Sequence, residues 1–296
     1  MADPTLNFVS CPDATGSHRM AYWLWGDAQA AHTVVCVHGL TRQGRDFDVL
    51  AQALVAQADH PVRVVCPDVA GRGMSDWLGD PQAYAIPNYA ADMLALLAEL
   101  KPQTLDWVGT SMGGLIGIGV CAHAQAVGAT VRRLVLNDVG PVLEWQSIQR
   151  IGTYLGKSMH FDSLQQAADA MWSIASSFGP HTPQQWLDLS RHMLKPDPQG
   201  GLRLHYDPSM ALPFQAITQQ AAQQGEAALW ALYDSITART LLLRGAESDL
   251  LSVQTATQMT QRGPKARLLE FAGVGHAPTL VEPTQVHAVA SFLLAS

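Results

Sequence analysis

Six near-continuous apolar runs, separated by longer stretches with helical spacing, constrain this chain more than any other feature. They are HTVVCVH (32–38), VRVVCPD (62–68), LDWVGT (105–110), RRLVLND (132–138), TLLLRG (240–245) and RLLEFAG (267–273). A seventh, more mixed run is MAYWLWG at 20–26. Runs rich in β-branched residues, apolar on both sides of the pleat, suit parallel strands covered on both faces. Helical spacing recurs at 45–59, 88–101, 252–262 and 283–295. Strand–helix alternation predicts an α/β fold: a parallel sheet with helices on both faces. At 296 residues the chain is long enough to bury one large core.

The alternation stops near residue 140 and resumes after 231. This window holds no strand-like run, four of the eight tryptophans (Trp145, Trp172, Trp186, Trp230) and two turn-rich interruptions, GPHTP at 179–183 and KPDPQGG at 195–201. The pattern predicts a helical insertion at 140–231 between two core segments, 1–139 and 232–296. An aromatic insertion of this kind is placed to cover the carboxyl edge of the sheet, where open α/β sheets bind ligands.

Composition narrows the function classes. The net charge is −7 without a basic block, which argues against a nucleic-acid partner. No 18-residue apolar window occurs and the N-terminal MADPTLNF lacks the basic–apolar order of a signal peptide, so neither membrane nor export is expected. Cys11, Cys36, Cys66 and Cys121 form no metal-ligand spacing, and reduced thiols in the cytoplasm are the expectation. No metal and no cofactor is expected.

The chemistry concentrates at GTSMGG (109–114), which follows an apolar run and opens a Gly-rich helical one. A serine on a sharp strand-to-helix turn stands clear of the sheet, and glycines two before and two after remove side chains that would collide there. Ser111 is the expected nucleophile. An acyl-transfer site needs two N–H donors for the oxyanion. The amide of Met112 is one, and that of Leu40, in the HGL sequence at 38–40, is the other. His38 reads as a loop-shaping group. Arg42 either reaches a substrate carbonyl or carboxylate or pairs with Asp46 or Asp68. The turn DVAGRGMS (68–75) reads as scaffold with Asp68 buried.

The serine needs a base, and the base needs an acid. Of eleven histidines, His276 in VGHAPTL follows a strand on the required edge. For the acid, Asp249 in AESDLLS leads, with Glu247 beside it and Asp138, after RRLVLND, as a more distant alternative.

Taken together, HGL at 38–40, DVAGRGMS at 68–75, GTSMGG at 109–114, GAESD at 245–249 and GHAPTL at 275–280 resemble the α/β-hydrolase family in order and spacing. The resemblance spans nearly the whole chain. It implies an eight-stranded, mostly parallel sheet, a cap after the sixth strand, and a Ser111–Asp249–His276 triad. Ser111 stands where haloalkane dehalogenases and epoxide hydrolases carry aspartate. Ala277 stands where C–C bond hydrolases usually carry tryptophan, and Met112 where prolyl aminopeptidases do. The expected activity is a carboxylesterase acting on a small, apolar ester. A C–C hydrolase or lactonase with the same triad is the alternative, and a ligand receptor on this fold a third reading.

Overall fold

The computed structural model describes residues 3–295. Its main sheet contains β1 (Thr5–Asp13), β2 (Gly16–Gly26), β3 (His32–Val37), β4 (Val62–Pro67), β5 (Thr104–Thr110) and β6 (Val131–Asn137). Three short strands follow, β7 (His160–Phe161), β8 (Leu194–Pro196) and β9 (Leu202–Leu204). The main sheet then resumes with β10 (Arg239–Gly245) and β11 (Arg267–Phe271). The eight strands run in the order β1-β2-β4-β3-β5-β6-β10-β11. All pairings from β4 to β11 are parallel, while β1 and β2 pair antiparallel with each other and β2 with β4. The expected eight-stranded, mostly parallel sheet is therefore present.

The helices are α1 (Asp48–Gln57), α2 (Ile86–Leu100), α3 (Met112–His123), α4 (Trp145–Tyr154), α5 (Leu164–Ala175), α6 (Pro183–Arg191), α7 (Ala211–Gln215), α8 (Gln219–Asp234), α9 (Val253–Met259) and α10 (Pro283–Leu294). The pleat divides each buried strand between two cores. Val34 and Cys36 of β3 face Leu50 and Leu54 of α1 and Val289 and Leu293 of α10. Val35 and Val37 of the same strand face Met93 and Leu96 of α2 and Ile116 of α3. That double burial is why the strands read as continuous apolar runs.

One strand has no counterpart among the apolar runs, and one expectation is corrected. β1 shows no such run because only Val9 and Cys11 are buried along its nine residues. An edge strand with one wet face carries too few apolar positions to stand out. The insertion also contains the three-stranded sheet β7-β9-β8, whose strands of two or three residues are too short to show a period. α8 crosses the expected boundary at 231: Trp230 and Tyr233 are buried in the core against the sheet. No helix among the described residues is long and apolar enough to cross a membrane.

Candidate active site

The parallel strands deliver their following loops to one edge: residues 38–42 after β3, Ser111 after β5, Asp138 after β6, residues 246–251 after β10 and His276 after β11. Ser111 has φ 52° and ψ −117°, a left-handed conformation that costs a non-glycine residue roughly 1–3 kcal/mol. The surrounding backbone holds it there. Its N–H donates to the Asn137 carbonyl at 2.9 Å, and its own carbonyl accepts from Gly114 at 2.8 Å. A Cβ at Gly109 would overlap the Gly113 carbonyl, and one at Gly113 would overlap the Val37 carbonyl. The two glycines flanking the serine are therefore demanded by close backbone approach.

His276 Nε2 lies 2.9 Å from Ser111 Oγ, and its Nδ1 lies 2.7 Å from Asp138 Oδ2. A carboxylate only accepts, so Nδ1 carries the proton, and Nε2 accepts from the serine hydroxyl. Asp138 is fully buried. Its Oδ1 accepts from the Gly245 N–H at 2.9 Å, and its Oδ2 also accepts from the Ser248 hydroxyl at 2.6 Å. Asn137 ties the parts together, its Nδ2 donating to the carbonyl of Pro278 at 2.8 Å, two residues past His276.

The expectation for Asp249 is corrected here. Among the described residues its carboxylate makes no hydrogen bond to His276, and it takes a two-pronged contact from Arg150 of α4, at 2.8 Å from Nε and 3.0 Å from Nη2. Both partners are substantially exposed, Arg150 at 40 % and Asp249 at 49 %. In the loop after β10 it is Ser248 that turns inward. The Arg150 contact holds Asp249 below the usual carboxylate range against the opposing effect of burial. Asp138, the more distant sequence alternative, occupies the position beside the imidazole. Its signal was placement alone: it directly follows a buried strand on the correct edge. Glu247 has no contact with the histidine side chain among the hydrogen bonds described.

Leu40 lines the same cavity as Ser111, and Met112 directly follows the serine in the chain. Met112 is the first residue of α3, and a helix's first turn leaves its amides without intrahelical partners. His38 is buried and shapes the loop: its Nδ1 donates to the Gly39 carbonyl at 2.7 Å and its Nε2 accepts from the Val69 N–H at 2.9 Å. Burial pushes it down to about 3, so it stays neutral. Arg42 reaches the same cavity, but its Nε and Nη2 meet Asp46 at 2.6 and 2.7 Å, and Nη2 also meets the Leu189 carbonyl at 3.1 Å. Asp68 is buried as expected and accepts from the N–H groups of Gly44 and Met74 at 2.7 and 2.9 Å. Desolvation raises it to about 6.

A cavity of about 160 Å³ opens over Ser111 and His276. The insertion supplies half of its lining, including Ile151, Met171, Ile174, Phe178, Trp186 and Leu189. Trp172 and Trp186 meet edge to face, with ring centroids 5.0 Å apart. The space is thus an apolar slot whose floor carries a hydroxyl, an imidazole and a buried carboxylate in series, an arrangement suited to nucleophilic attack on a carbonyl.

Comparisons with known proteins show the family and the fold. The model of the alpha/beta hydrolase family matches residues 34–289. The chain is 48% identical over 289 residues to a 3-hydroxybutyrate-oligomer hydrolase of Cupriavidus necator, covering 96% of each. It is 25% identical over 223 residues to a 2-hydroxymuconate semialdehyde hydrolase of Pseudomonas sp., covering 72% of this chain and 70% of the relative. The crystal structure of an alpha/beta hydrolase from Novosphingobium aromaticivorans superposes with a TM-score of 0.84 at 33% identity, covering 99% of each chain.

Proposed function

Because the chain belongs to the alpha/beta hydrolase family, we propose that it is a serine hydrolase of carboxylic esters, acting on short oligomers of 3-hydroxybutyrate or similar small hydroxy acids. The observation that carries the ester chemistry is the hydrogen-bonded series Ser111–His276–Asp138 at the floor of an apolar cavity. The substrate class is drawn from the 3-hydroxybutyrate-oligomer hydrolase to which the chain is 48% identical. Short aliphatic esters suit a slot lined by Ile151, Met171 and Ile174.

Ser111 Oγ attacks the ester carbonyl carbon while His276 Nε2 takes its proton. The carbonyl oxygen becomes an oxyanion held by the amides of Leu40 and Met112. The C–O bond to the alcohol breaks, His276 returns the proton to that alcohol, and an acyl ester remains on Ser111. Water then attacks the acyl carbon, again giving its proton to His276, and the acid leaves as the serine hydroxyl is restored. Asp138 keeps the imidazole in the Nδ1–H tautomer and offsets the charge it gains at each transfer. The segment between β6 and β10 serves as the cap that keeps bulk water from the acyl-enzyme. The substrate is a small molecule, and the cytoplasm suits the four free thiols.

The test is release of 3-hydroxybutyrate from its linear dimer and trimer, alongside p-nitrophenyl butyrate and a ring-cleavage dienoate. Oligomer and ester turnover that falls by about 10⁴-fold or more in a folded Ser111→Ala variant is the expected result. Turnover that survives Ser111→Ala would remove the reading. Selective turnover of the dienoate would favour C–C bond hydrolysis, the chemistry suggested by the Pseudomonas relative.

A further inference from the structure

The loop after β4 carries a guanidinium that the mechanism above does not use. Arg72 is fully buried, one of the largest side chains to be so. Its four hydrogen-bond acceptors are all neutral. Nε donates to the Leu40 carbonyl at 2.9 Å, Nη1 to the Ala70 carbonyl at 2.6 Å and the Tyr89 hydroxyl at 2.9 Å, and Nη2 to the Met112 sulfur at 3.5 Å. The Tyr89 ring lies 4.9 Å from its Cζ. A buried cation without a carboxylate partner is costly to keep. Two of its contacts go to Leu40 and Met112, which arrive from different strands and carry the two amides assigned to the oxyanion.

We propose that Arg72 is the positioning residue of the oxyanion site, clamping Leu40 to Met112 and placing an uncompensated positive charge beside the developing negative one. The inference rests on the acyl-transfer reading of Ser111. Donors fixed before the reaction stabilise a transition state without a reorganisation cost, which is where such a clamp acts. The charge is felt locally. Burial is the main cause that keeps His38, two residues before Leu40, neutral against its hydrogen bond to the Gly39 carbonyl, and the fields of Arg72 and Arg42 add to burial in the same direction. The insertion keeps the arginine in place. Gly73 N–H donates to the His205 carbonyl at 3.0 Å and Asp207 N–H to the Gly71 carbonyl at 2.8 Å, forming a bridge between Arg72 and Tyr206. The loop that carries Arg72 is thereby tied to the insertion, as Arg42 ties the Leu40 loop to it through the Leu189 carbonyl.

The experiment compares Arg72→Met and Arg72→Lys with the unaltered full chain. It measures kcat and KM on p-nitrophenyl butyrate, and the affinity for an alkylboronic acid that forms a tetrahedral adduct on Ser111. Folded Arg72→Met should lose about thirty-fold in kcat with KM within about twofold, and the boronate should weaken in proportion. Arg72→Lys should recover part of both. A kcat within about twofold of the unaltered protein, or a loss carried by KM with boronate affinity unchanged, overturns the proposal. If Arg72→Met does not fold, Tyr89→Phe removes one acceptor and should lower kcat about threefold with the same split, whereas an unchanged kcat overturns it. Activity that survives Ser111→Ala, measured in the same series, would strike the acyl-transfer reading instead.

Discussion

Replacing Asp138 with Asn keeps the shape of the side chain and changes which of its atoms can accept. In the native site Oδ2 receives the His276 Nδ1 proton at 2.7 Å and the Ser248 hydroxyl at 2.6 Å, while Oδ1 receives the Gly245 amide at 2.9 Å. An asparagine has one oxygen for these two places. With the oxygen toward His276, its NH₂ confronts the Gly245 N–H, donor against donor. With the NH₂ toward His276, the imidazole must move its proton to Nε2 and can no longer accept from Ser111. Both arrangements also remove the negative charge that offsets the imidazolium. A kcat loss of about 10³–10⁴ follows, roughly 4–5.5 kcal/mol of transition-state stabilisation. Asp249→Asn is the control. Its contact with Arg150 is an ion pair with both partners well exposed, so its loss is worth no more than about 1 kcal/mol and about fivefold in rate. The assay is kcat/KM on p-nitrophenyl butyrate for both variants, with melting temperatures to establish folding. Equal losses, or a larger loss in Asp249→Asn, would refute the reasoning and return the acid to the loop after β10.

Three further outcomes follow from the same contacts. Ser248→Ala removes the hydroxyl that steadies Asp138 Oδ2 and should lower kcat about tenfold without moving KM. Ser248→Thr should recover most of that loss, and an unchanged kcat in the alanine variant would exclude the role. Gly113→Ala drives a methyl group into the Val37 carbonyl, so urea unfolding should show a loss of about 2 kcal/mol or more. A loss well under 1 kcal/mol would mean that the turn is looser than described. His18 lies 3.1 Å from Asp92 and 2.9 Å from Asp13, and hydrogen bonding to Asp92, against the opposing effect of burial and with the field of Asp92 and the contact to Asp13 adding to it, raises it to about 8. A raised histidine stabilises the fold fully below its ordinary value near 6.5, and that contribution fades as pH rises through about 8. His18→Gln should therefore cost about 2 kcal/mol at pH 6 and little at pH 9, and a gap that stays constant across that range would contradict the pairing.

The parts of the fold that announce themselves in the sequence are those where one local pattern decides the outcome. β3 to β6 and β10 are buried on both faces, so each appears as an apolar run, and β11, at the edge and only partly buried, still shows Leu268, Leu269 and Phe271. Ser111 appears because its backbone conformation requires glycines at fixed offsets. The acid does not appear so readily, because its identity depends on contacts between distant residues. Asp138 and Asp249 both follow strands on the correct edge, and what separates them is Arg150, far upstream on α4, which draws Asp249 outward. Ser248 then turns inward to Asp138. Arg72 is hidden for a similar reason. The turn DVAGRGMS reads as scaffold with no sign of what Arg72 does, and the burial of that side chain follows from partners on β3's loop, α2 and α3. β1 escapes notice because its edge position leaves few buried residues.

The central claim is that Ser111 becomes covalently acylated with His276 as its base. Labelling with diethyl p-nitrophenyl phosphate, followed by peptide mass mapping, tests it directly. One diethylphosphoryl group should appear per chain, on the peptide holding Ser111, and the labelling rate should drop about 10³-fold or more in His276→Ala. Label on another residue, or labelling of Ser111 that proceeds as fast without the imidazole, would contradict the account.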